Sequence, residues 1–211
     1  MNNQKTLKEQ NAKLIWTFFS FNALLFYTLA IVPSFEINEF DWEEFVTGKG
    51  IWLLITPLLL FIINGLISSN QKAIISFWRF KNPLPACRAF SHYSKKDDRI
   101  DLNNLELNFS PLPQLAKEQN SLWYKIYKIY QEEPLVKKSH KDFLFGRDMC
   151  SIASLFLIFG GIIGLFIMPS TTKWWYLFFT IFQYFILAIV TQNHGKRFVC
   201  NVLALETSNK V

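Results

Sequence analysis

The sequence has little of what a disulfide-bonded, metal-binding or catalytic protein needs. Its 3 cysteines, at positions 87, 150 and 200, form no close pair and no C-x-x-C motif, which argues against a disulfide framework or a structural zinc site. The chain also lacks the P-loop, H-E-x-x-H and G-x-S-x-G motifs that mark common catalytic sites. We therefore expect reduced cysteines, no metal, no cofactor and no enzymatic activity.

Charged residues are missing from four apolar runs, 14–32, 51–68, 150–168 and 174–191. An α-helix rises about 1.5 Å per residue and the hydrocarbon core of a bilayer is roughly 30 Å thick, so each run is long enough to cross a membrane. Pro57 lies inside the second run, where a membrane bundle tolerates it as a kink. The sequence thus predicts four transmembrane helices arranged as two hairpins.

Basic residues fall almost entirely on one side of these runs. Of the 22 Lys and Arg residues, only Lys49 and Lys173 lie in the two short loops inside the hairpins, and the first of these loops is acidic. Because basic loops stay in the cytoplasm, both termini and the segment 69–149 are predicted to be cytoplasmic. We expect a multi-pass protein of a bacterial inner membrane.

The predicted fold is an all-α membrane protein with a mostly helical cytoplasmic domain inserted between transmembrane helices 2 and 3. Its parts are an N-terminal segment with the first hairpin at 1–68, the basic domain at 69–149, and the second hairpin with a cytoplasmic tail at 150–211.

Proline and hydrophobic spacing divide the domain further. Residues 70–81 are expected to continue the second span as a polar helix, and 91–105 read as a charged loop. An amphipathic helix is predicted over 113–133. No proline then occurs between 135 and 168, so a helix is expected to run directly into the third span.

Basic groups are densest just after the second span. They are Arg79, Lys81, Arg88, Lys95, Lys96 and Arg99, joined by His92 and interleaved with Phe80, Phe90 and Tyr93. Positive charge for phosphates and aromatic faces for bases are what a nucleotide or single-stranded oligonucleotide requires. We assign these six Lys and Arg residues as a candidate ligand-binding site. Ordinary juxtamembrane basicity, which meets anionic membrane lipid, is the alternative.

Small and polar residues are few within the apolar runs. Gly160, Gly161 and Gly164 would let another helix approach the third span closely, and Asn64 would bridge helices or line a pore. These four residues are candidates for helix packing or for a pore. One four-helix protomer is too small to enclose a water-filled channel, so a channel would require a symmetric homo-oligomer.

Two spans, a basic cytoplasmic domain and two further spans within 211 residues resemble the small four-span membrane effectors of bacterial anti-phage defence. In particular the chain resembles the Hailong type, in which a nucleotidyltransferase partner makes single-stranded DNA oligomers that hold a channel-like effector shut. The four-span subunit of Kiwa defence is a second candidate. The resemblance covers the whole chain as an architecture and is carried by no specific motif, the RAFS (88–91) and RFVCNVL (197–203) stretches included.

The resemblance implies an oligomeric effector, expected as a homotetramer, whose basic domain binds nucleic acid. Our leading hypothesis is therefore a channel-like inner-membrane effector gated by a nucleotide or short single-stranded DNA. Two other classes stay open. One is a membrane-anchored scaffold that recruits a partner through Trp123 and Tyr127 of the helix 113–133. The other is an enzyme that holds a divalent metal with Asp97, Asp98 and Asp101.

Overall fold

The computed structural model describes residues 6–31 and 49–208, apart from the side chains of residues 8, 31, 49–54, 56 and 57. The described residues are all-helical, with no strand among them. The acidic loop predicted between the first two spans lies outside them. The α-helices in chain order are α1 (Leu7–Ile31), α2 (Lys49–Leu66), α3 (Ser69–Phe77), α4 (Leu102–Phe109), α5 (Ala116–Tyr130), α6 (Pro134–Leu155), α7 (Gly161–Ile167) and α8 (Ser170–Ser208).

Three stretches of helix in the described chain are long and apolar enough to cross a membrane. They are Glu9–Ala30, Pro134–Ile167 and Ser170–Ser208, and a window of 18 residues within each has a mean hydropathy of 1.3, 2.4 and 1.6, respectively. A fourth crossing is present only if Leu58–Leu66 and Ser69–Phe77 count as one span, and these two helices meet at an angle of 101°. The all-helical character predicted from the sequence is thus confirmed, and three of the four predicted spans correspond to helices that could cross a membrane.

The bend after α2 corrects the expectation that a polar helix continues the second span. Ser68 ends that span and begins α3 with a capping box: its hydroxyl accepts from the Gln71 backbone N–H at 3.3 Å, and the Gln71 side chain accepts from the Ser68 N–H at 2.8 Å. This pairing satisfies the backbone donors of a new helix start, so the chain turns at this point. Helix α3 ends early, at Phe77, because Trp78 adopts a left-handed conformation with φ 54°.

The helix expected to run into the third span is confirmed. Helix α6 starts at Pro134 and joins α7 through a π-helical turn, Phe156–Gly160. Met168 and Pro169 then separate α7 from α8, which confirms the tight second hairpin. Helix α8 has 39 residues and so is about 58 Å long, nearly twice the thickness of a bilayer core. A crossing of the bilayer would therefore use only about half of this helix.

The second half of α8 is the centre of the helical domain. Phe198, Val199, Cys200, Val202 and Leu203 are all buried, in one core with side chains of α3, α5 and α6. The stretch that the sequence presented as a tail is therefore a core helix, and the domain is built from 69–149 together with the end of α8.

The segments 113–133 and 91–105 of the domain differ in how well they match the prediction. The amphipathic helix predicted over 113–133 is confirmed as α5. The loop predicted over 91–105 is wrong at both ends, because helical turns cover Ala89–Tyr93 and Ser94–Lys96 and α4 begins at Leu102. Asp101 caps this helix by accepting from the backbone N–H groups of Asn103 and Asn104 at 2.9 and 3.2 Å.

Candidate functional site

Basic side chains from three separate parts of the chain converge on His92. Arg79 follows α3, Arg88 and Lys96 lie in the short helical turns after it, and Lys196 lies on α8. The positive charges of all four act on the imidazole. We call Arg79, Arg88, His92, Lys96 and Lys196 the His92 surface.

Buried residues on the inner side of the turns hold the His92 surface in place. Pro85–Arg88 is a 3-10 turn, Ala89–Tyr93 a π-helical turn, and Ser94–Lys96 a second 3-10 turn. Phe90 and Tyr93 point into the core, at 2% and 9% exposure, whereas His92 and Lys96 are exposed. The apolar residues thus anchor the segment while its charged residues face outward.

Gln119 of α5 holds the middle turn in place. Its side-chain oxygen accepts from the backbone N–H groups of Phe90 and Ser91 at 3.2 and 3.1 Å and from the Ser91 hydroxyl at 3.1 Å. Its amide nitrogen donates to the Gln114 carbonyl at 3.0 Å. Gln119 is only 1% exposed, so these bonds satisfy a fully buried polar group. This role of Gln119 has no signal in the sequence, where it is one of several polar residues on an amphipathic helix.

Arg79 and Arg88 are positioned by aromatic neighbours. The Trp78 indole N–H donates to the Tyr184 hydroxyl at 3.0 Å, and that hydroxyl donates to the Ile75 carbonyl at 2.9 Å, which fixes the end of α3 on α8 just before Arg79. The guanidinium of Arg88 donates to the Tyr93 hydroxyl at 3.2 Å and lies 5.7 Å from the centre of that ring.

The His92 surface has an uncompensated positive charge. Desolvation, followed by the charges of Lys96, Arg88, Arg79 and Lys196, lowers the pKa of His92 from its usual 6.5. None of these four cations forms an ion pair with a carboxylate in the described part of the chain. The imidazole is therefore neutral near pH 7, and a bound anion would raise its pKa by offsetting the surrounding charges.

Of the six basic residues predicted as ligand-binding, the structure brings three together. Arg79, Arg88 and Lys96 belong to the His92 surface, and Lys196 joins them from α8. Lys81 is exposed elsewhere, and Lys95 lines a separate hollow of about 280 Å³ with Glu106.

Arg99, the last of the six, has a structural role. Its guanidinium donates to both carboxylate oxygens of Asp97, at 2.9 and 2.8 Å, and to the Asn201 side-chain oxygen on α8 at 3.0 Å. These hydrogen bonds are the chief cause that lowers the pKa of Asp97 from 3.8 to about 2. The pair therefore fastens the segment before α4 onto α8.

The three carboxylates considered for metal-dependent chemistry have other surroundings. Asp97 pairs with Arg99, Asp101 caps α4, and Asp98 is exposed. Among the described residues, no group of three His, Cys, Asp or Glu side chains is arranged to hold a metal ion. Cys87, Cys150 and Cys200 are buried and unpaired.

The aromatic face proposed for a scaffold is turned inward. Trp123 is 6% exposed, its indole N–H donates to the Val199 carbonyl at 3.3 Å, and its ring stacks on Tyr127 at 5.5 Å. The side chains of α5 that do face outward include Tyr124 and Ile129, at 50% and 70% exposure. Trp123 is thus a core residue of the domain and is not available to a partner.

The four residues predicted for helix packing or a pore all lie at contacts within the protomer. The Asn64 side-chain oxygen accepts from the Ser151 hydroxyl at 3.0 Å, which joins α2 to α6. A Cβ atom added to Gly160 would lie 2.5 Å from the Tyr176 hydroxyl, one on Gly161 would lie 3.3 Å from Leu177, and one on Gly164 would lie 3.2 Å from Met168. The glycines therefore allow α7 and the turn before it to approach the start of α8 closely.

No family model, no curated protein and no solved structure matches this chain.

Proposed function

We propose that this protein is a membrane effector gated by a phosphate-bearing ligand, either a nucleotide or a short single-stranded DNA, that binds the His92 surface. The observation that carries the proposal is the convergence of Arg79, Arg88, Lys96 and Lys196 on His92 with no carboxylate partner in the described chain. Unpaired cations gathered from distant parts of a chain are costly to hold together, and a polyanion relieves that repulsion.

An exposed aromatic ring next to Arg79 in the sequence favours a nucleic-acid component over inorganic phosphate. Phe80, next to Arg79, is 89% exposed. A base can stack on such a ring, which is worth about 1–3 kcal/mol per base. Phe90 and Tyr93, the other two aromatic residues of this segment, are buried and therefore contribute to folding instead.

Helix α8 supplies the path from the ligand to the membrane. Lys196 lies on the same unbroken helix as Trp174, Phe178 and Phe182, whose exposed rings suit a lipid environment. A ligand that contacts Lys196 therefore acts directly on a helix of the membrane region. It can gate the protein only if its affinity differs between two arrangements of that helix.

The proposal also includes the four-span topology and the oligomeric channel. Helix α2 has 18 residues and is about 27 Å long, close to the thickness of the hydrocarbon core, which supports a span that ends at the bend at Ser68. The distribution of Lys and Arg favours cytoplasmic termini. A homo-oligomer, with four copies as the expected number, would form the pore in the bacterial inner membrane. A DNA oligomer made by a nucleotidyltransferase partner in anti-phage defence is the ligand that the architectural resemblance favours.

Binding of a fluorescent single-stranded oligonucleotide to the detergent-purified protein tests the ligand site. We expect Lys96→Glu and Lys196→Glu each to weaken binding about tenfold or more and to reduce its salt dependence by about one phosphate contact. Lys95→Glu and Arg197→Glu are the matched controls, because each introduces the same charge change one residue away. Equal loss in all four variants would indicate only general basicity, and the site would then be wrong.

Two further measurements separate gating from simple adhesion to membranes. Binding to anionic vesicles that matches oligonucleotide binding in every variant would favour a lipid surface as the ligand. Ion flux through proteoliposomes, measured with and without the oligonucleotide, tests the channel, and a flux that never responds to the oligonucleotide contradicts gating. Since a bound polyanion raises the pKa of His92, affinity should increase as the pH falls below about 6.5, and His92→Gln should remove this dependence.

A further inference from the structure

A cavity of about 560 Å³ lies away from the His92 surface, between α1, the end of α2 and the middle of α6. This is within the size range of roughly 300–1,000 Å³ that small-molecule sites occupy. Its walls differ in chemistry. One part is apolar and includes Trp16, Phe19, Phe61 and Ile152, and the other carries Lys72, Arg147 and Asp148. The cavity is therefore amphipathic.

Two buried cations share one carboxylate at the polar end. The Lys72 ammonium lies 3.2 Å and the Arg147 guanidinium 3.4 Å from the same oxygen of Asp148, with side chains 8%, 11% and 4% exposed. Charged donors buried away from water need acceptors, and leaving one of them unsatisfied is expensive. This end of the cavity thus favours a negatively charged group.

Arg147 has hydrogen-bond capacity that the described protein does not use. Its Nε is buried without an acceptor in the described part of the chain, and the bond from Nη2 to Asp148 is long at 3.4 Å. The guanidinium carbon lies over the Phe143 ring, 6.0 Å from its centre, and the donors of this planar group point outward from its edge. A guanidinium edge matches the oxygen spacing of a phosphate.

A second carboxylate, Glu9, also lines the cavity but is engaged in capping α1. It accepts from the Thr6 backbone N–H at 2.7 Å and from the Thr6 hydroxyl at 2.9 Å. Glu9 is exposed, so solvent screens its charge more than it screens the buried cations. The unused donor of Arg147 is therefore the feature that favours an anion at the buried end.

The apolar wall opens toward the membrane. Trp16 and Phe61 stack at 4.5 Å between ring centres, and they are 49% and 43% exposed. Trp16 lies on the candidate span Glu9–Ala30, near its first turns, where tryptophan favours the level of lipid headgroups. An acyl chain can thus lie against this wall while its headgroup reaches the cations.

We propose that this cavity binds an anionic glycerophospholipid, with the phosphate on Arg147 and Lys72 and an acyl chain along Trp16 and Phe61. Basic pockets between membrane helices are a known means of holding acidic headgroups. The lipid would join α1 and α2 to α6 at the boundary between membrane and domain. This site is separate from the His92 surface and does not depend on the function proposed for that surface.

Native mass spectrometry of the full-length protein tests the site. The protein is exchanged into detergent with equal amounts of phosphatidylglycerol and phosphatidylethanolamine. We expect retained phosphatidylglycerol, and we expect Arg147→Gln to reduce its retention about tenfold or more, as removal of charge-assisted hydrogen bonds does. Lys138→Gln, an exposed cation on the same helix, is the control that should retain the lipid.

A second variant blocks the cavity without altering its charges. Gly65 lines the cavity, and a Cβ atom there would meet nothing within 4 Å. Gly65→Leu should therefore fill the space and improve helix propensity, so the lipid-free protein should be at least as stable as wild type while retention falls. Ser20→Leu, on an exposed part of α1 outside the cavity, is the matched control.

Three outcomes would overturn the proposal. One is equal retention of the two lipids, and another is undiminished retention in Gly65→Leu. The third concerns the source of the phosphate: inorganic phosphate that raises the thermal midpoint of wild type as much as phosphatidylglycerol does would assign the cavity to a free anion.

Discussion

The two halves of α8 form one continuous helix, but they place opposite kinds of side chain inward and outward. In the first half the inward positions are taken by Tyr176, Thr180 and Ala188, while large aromatic rings such as Phe178 and Phe182 face outward. In the second half the inward positions are taken by Phe198 and its apolar neighbours, and the outward ones by Lys196 and Arg197.

The difference indicates which surroundings, lipid or water, suit each half of α8. In lipid, apolar side chains gain nothing by facing inward, so small residues and hydrogen bonds bring helices together. In water, burial of apolar surface is the main driving force, worth roughly 25 cal/mol per Å². The first half of α8 thus has the pattern expected of a helix in lipid and the second half that of a helix in a water-soluble domain, so each half should respond differently to the same kind of mutation.

The largest expected effect comes from removing one aromatic ring from each half. Phe198 is 4% exposed and meets Trp123 edge-on at 5.1 Å, so Phe198→Ala should lower the free energy of unfolding by about 3–5 kcal/mol. Phe182 is 57% exposed, and Phe182→Ala should cost less than about 1 kcal/mol. Denaturant unfolding in detergent, followed by circular dichroism, measures both. Similar losses would mean that both halves pack equally, which contradicts the comparison.

A buried amide should matter next, within the domain. Gln119→Ala removes the acceptor shared by the Phe90 and Ser91 backbone N–H groups and the Ser91 hydroxyl. Leaving such donors unsatisfied costs about 1–3 kcal/mol, and the turn that carries His92 should loosen. Hydrogen exchange at Phe90 and Ser91 measures the loosening directly. Gln131→Ala, at the end of α5, is the control and should leave exchange at Phe90 and Ser91 unchanged.

The corresponding test in the first half of α8 concerns the close approach of Gly160 to Tyr176. Gly160→Ala would place its Cβ 2.5 Å from the Tyr176 hydroxyl, so α7 or α8 must move. Overpacking of this kind costs about 1–3 kcal/mol. Tyr176→Phe removes the hydroxyl, and the double variant should therefore lose less stability than Gly160→Ala alone. Additive losses, measured as thermal midpoints in detergent, would show that the two residues do not interact.

Much of this architecture could be predicted from periodicity and charge. Apolar runs without charged residues located the helices that can cross a membrane, and the absence of proline after Pro134 predicted the long helix through α6. The bend at Ser68 was missed although the Ser-x-x-Gln pattern of a capping box stands in the sequence. The sequence pattern of a polar helix directly after an apolar one predicts a single continuous helix unless the capping box is recognised.

The composition of the site was harder to predict, because it depends on contacts between distant residues. Adjacent positions such as Lys95 and Lys96 are equivalent in sequence, yet only Lys96 acts on His92. Arg99 was indistinguishable from the others until its bonds to Asp97 and Asn201 were known. Lys196 joins the site only because α8 continues past its apolar first half and packs into the core of the domain, which no local pattern indicates.

The smallest of the expected effects is a difference in the acid sensitivity of stability between the two halves of α8. The pKa of Asp97 is lowered from 3.8 to about 2, first by the hydrogen bonds from Arg99. A carboxyl whose pKa is lower in the folded state stabilises that state above its unfolded pKa, and this stabilisation is lost as the pH falls from 3.8 to about 2. We therefore expect wild type to exceed Asp97→Asn in thermal midpoint near about pH 5 and the difference to shrink on acidification.

The matched control for this pair is Glu118→Gln, an exposed carboxyl on α5. It should change the thermal midpoint little at any of these pH values. Because Arg99 also bonds to Asn201 of α8, loss of the Asp97 pair should first raise hydrogen exchange around 97–104 and at the domain half of α8. The Gly160–Tyr176 contact contains no carboxyl and should not respond over the same range. Equal acid sensitivity at the two ends of α8 would mean that this helix unfolds as one unit. The Asp97–Arg99 ion pair would then stabilise the whole molecule and not the domain alone.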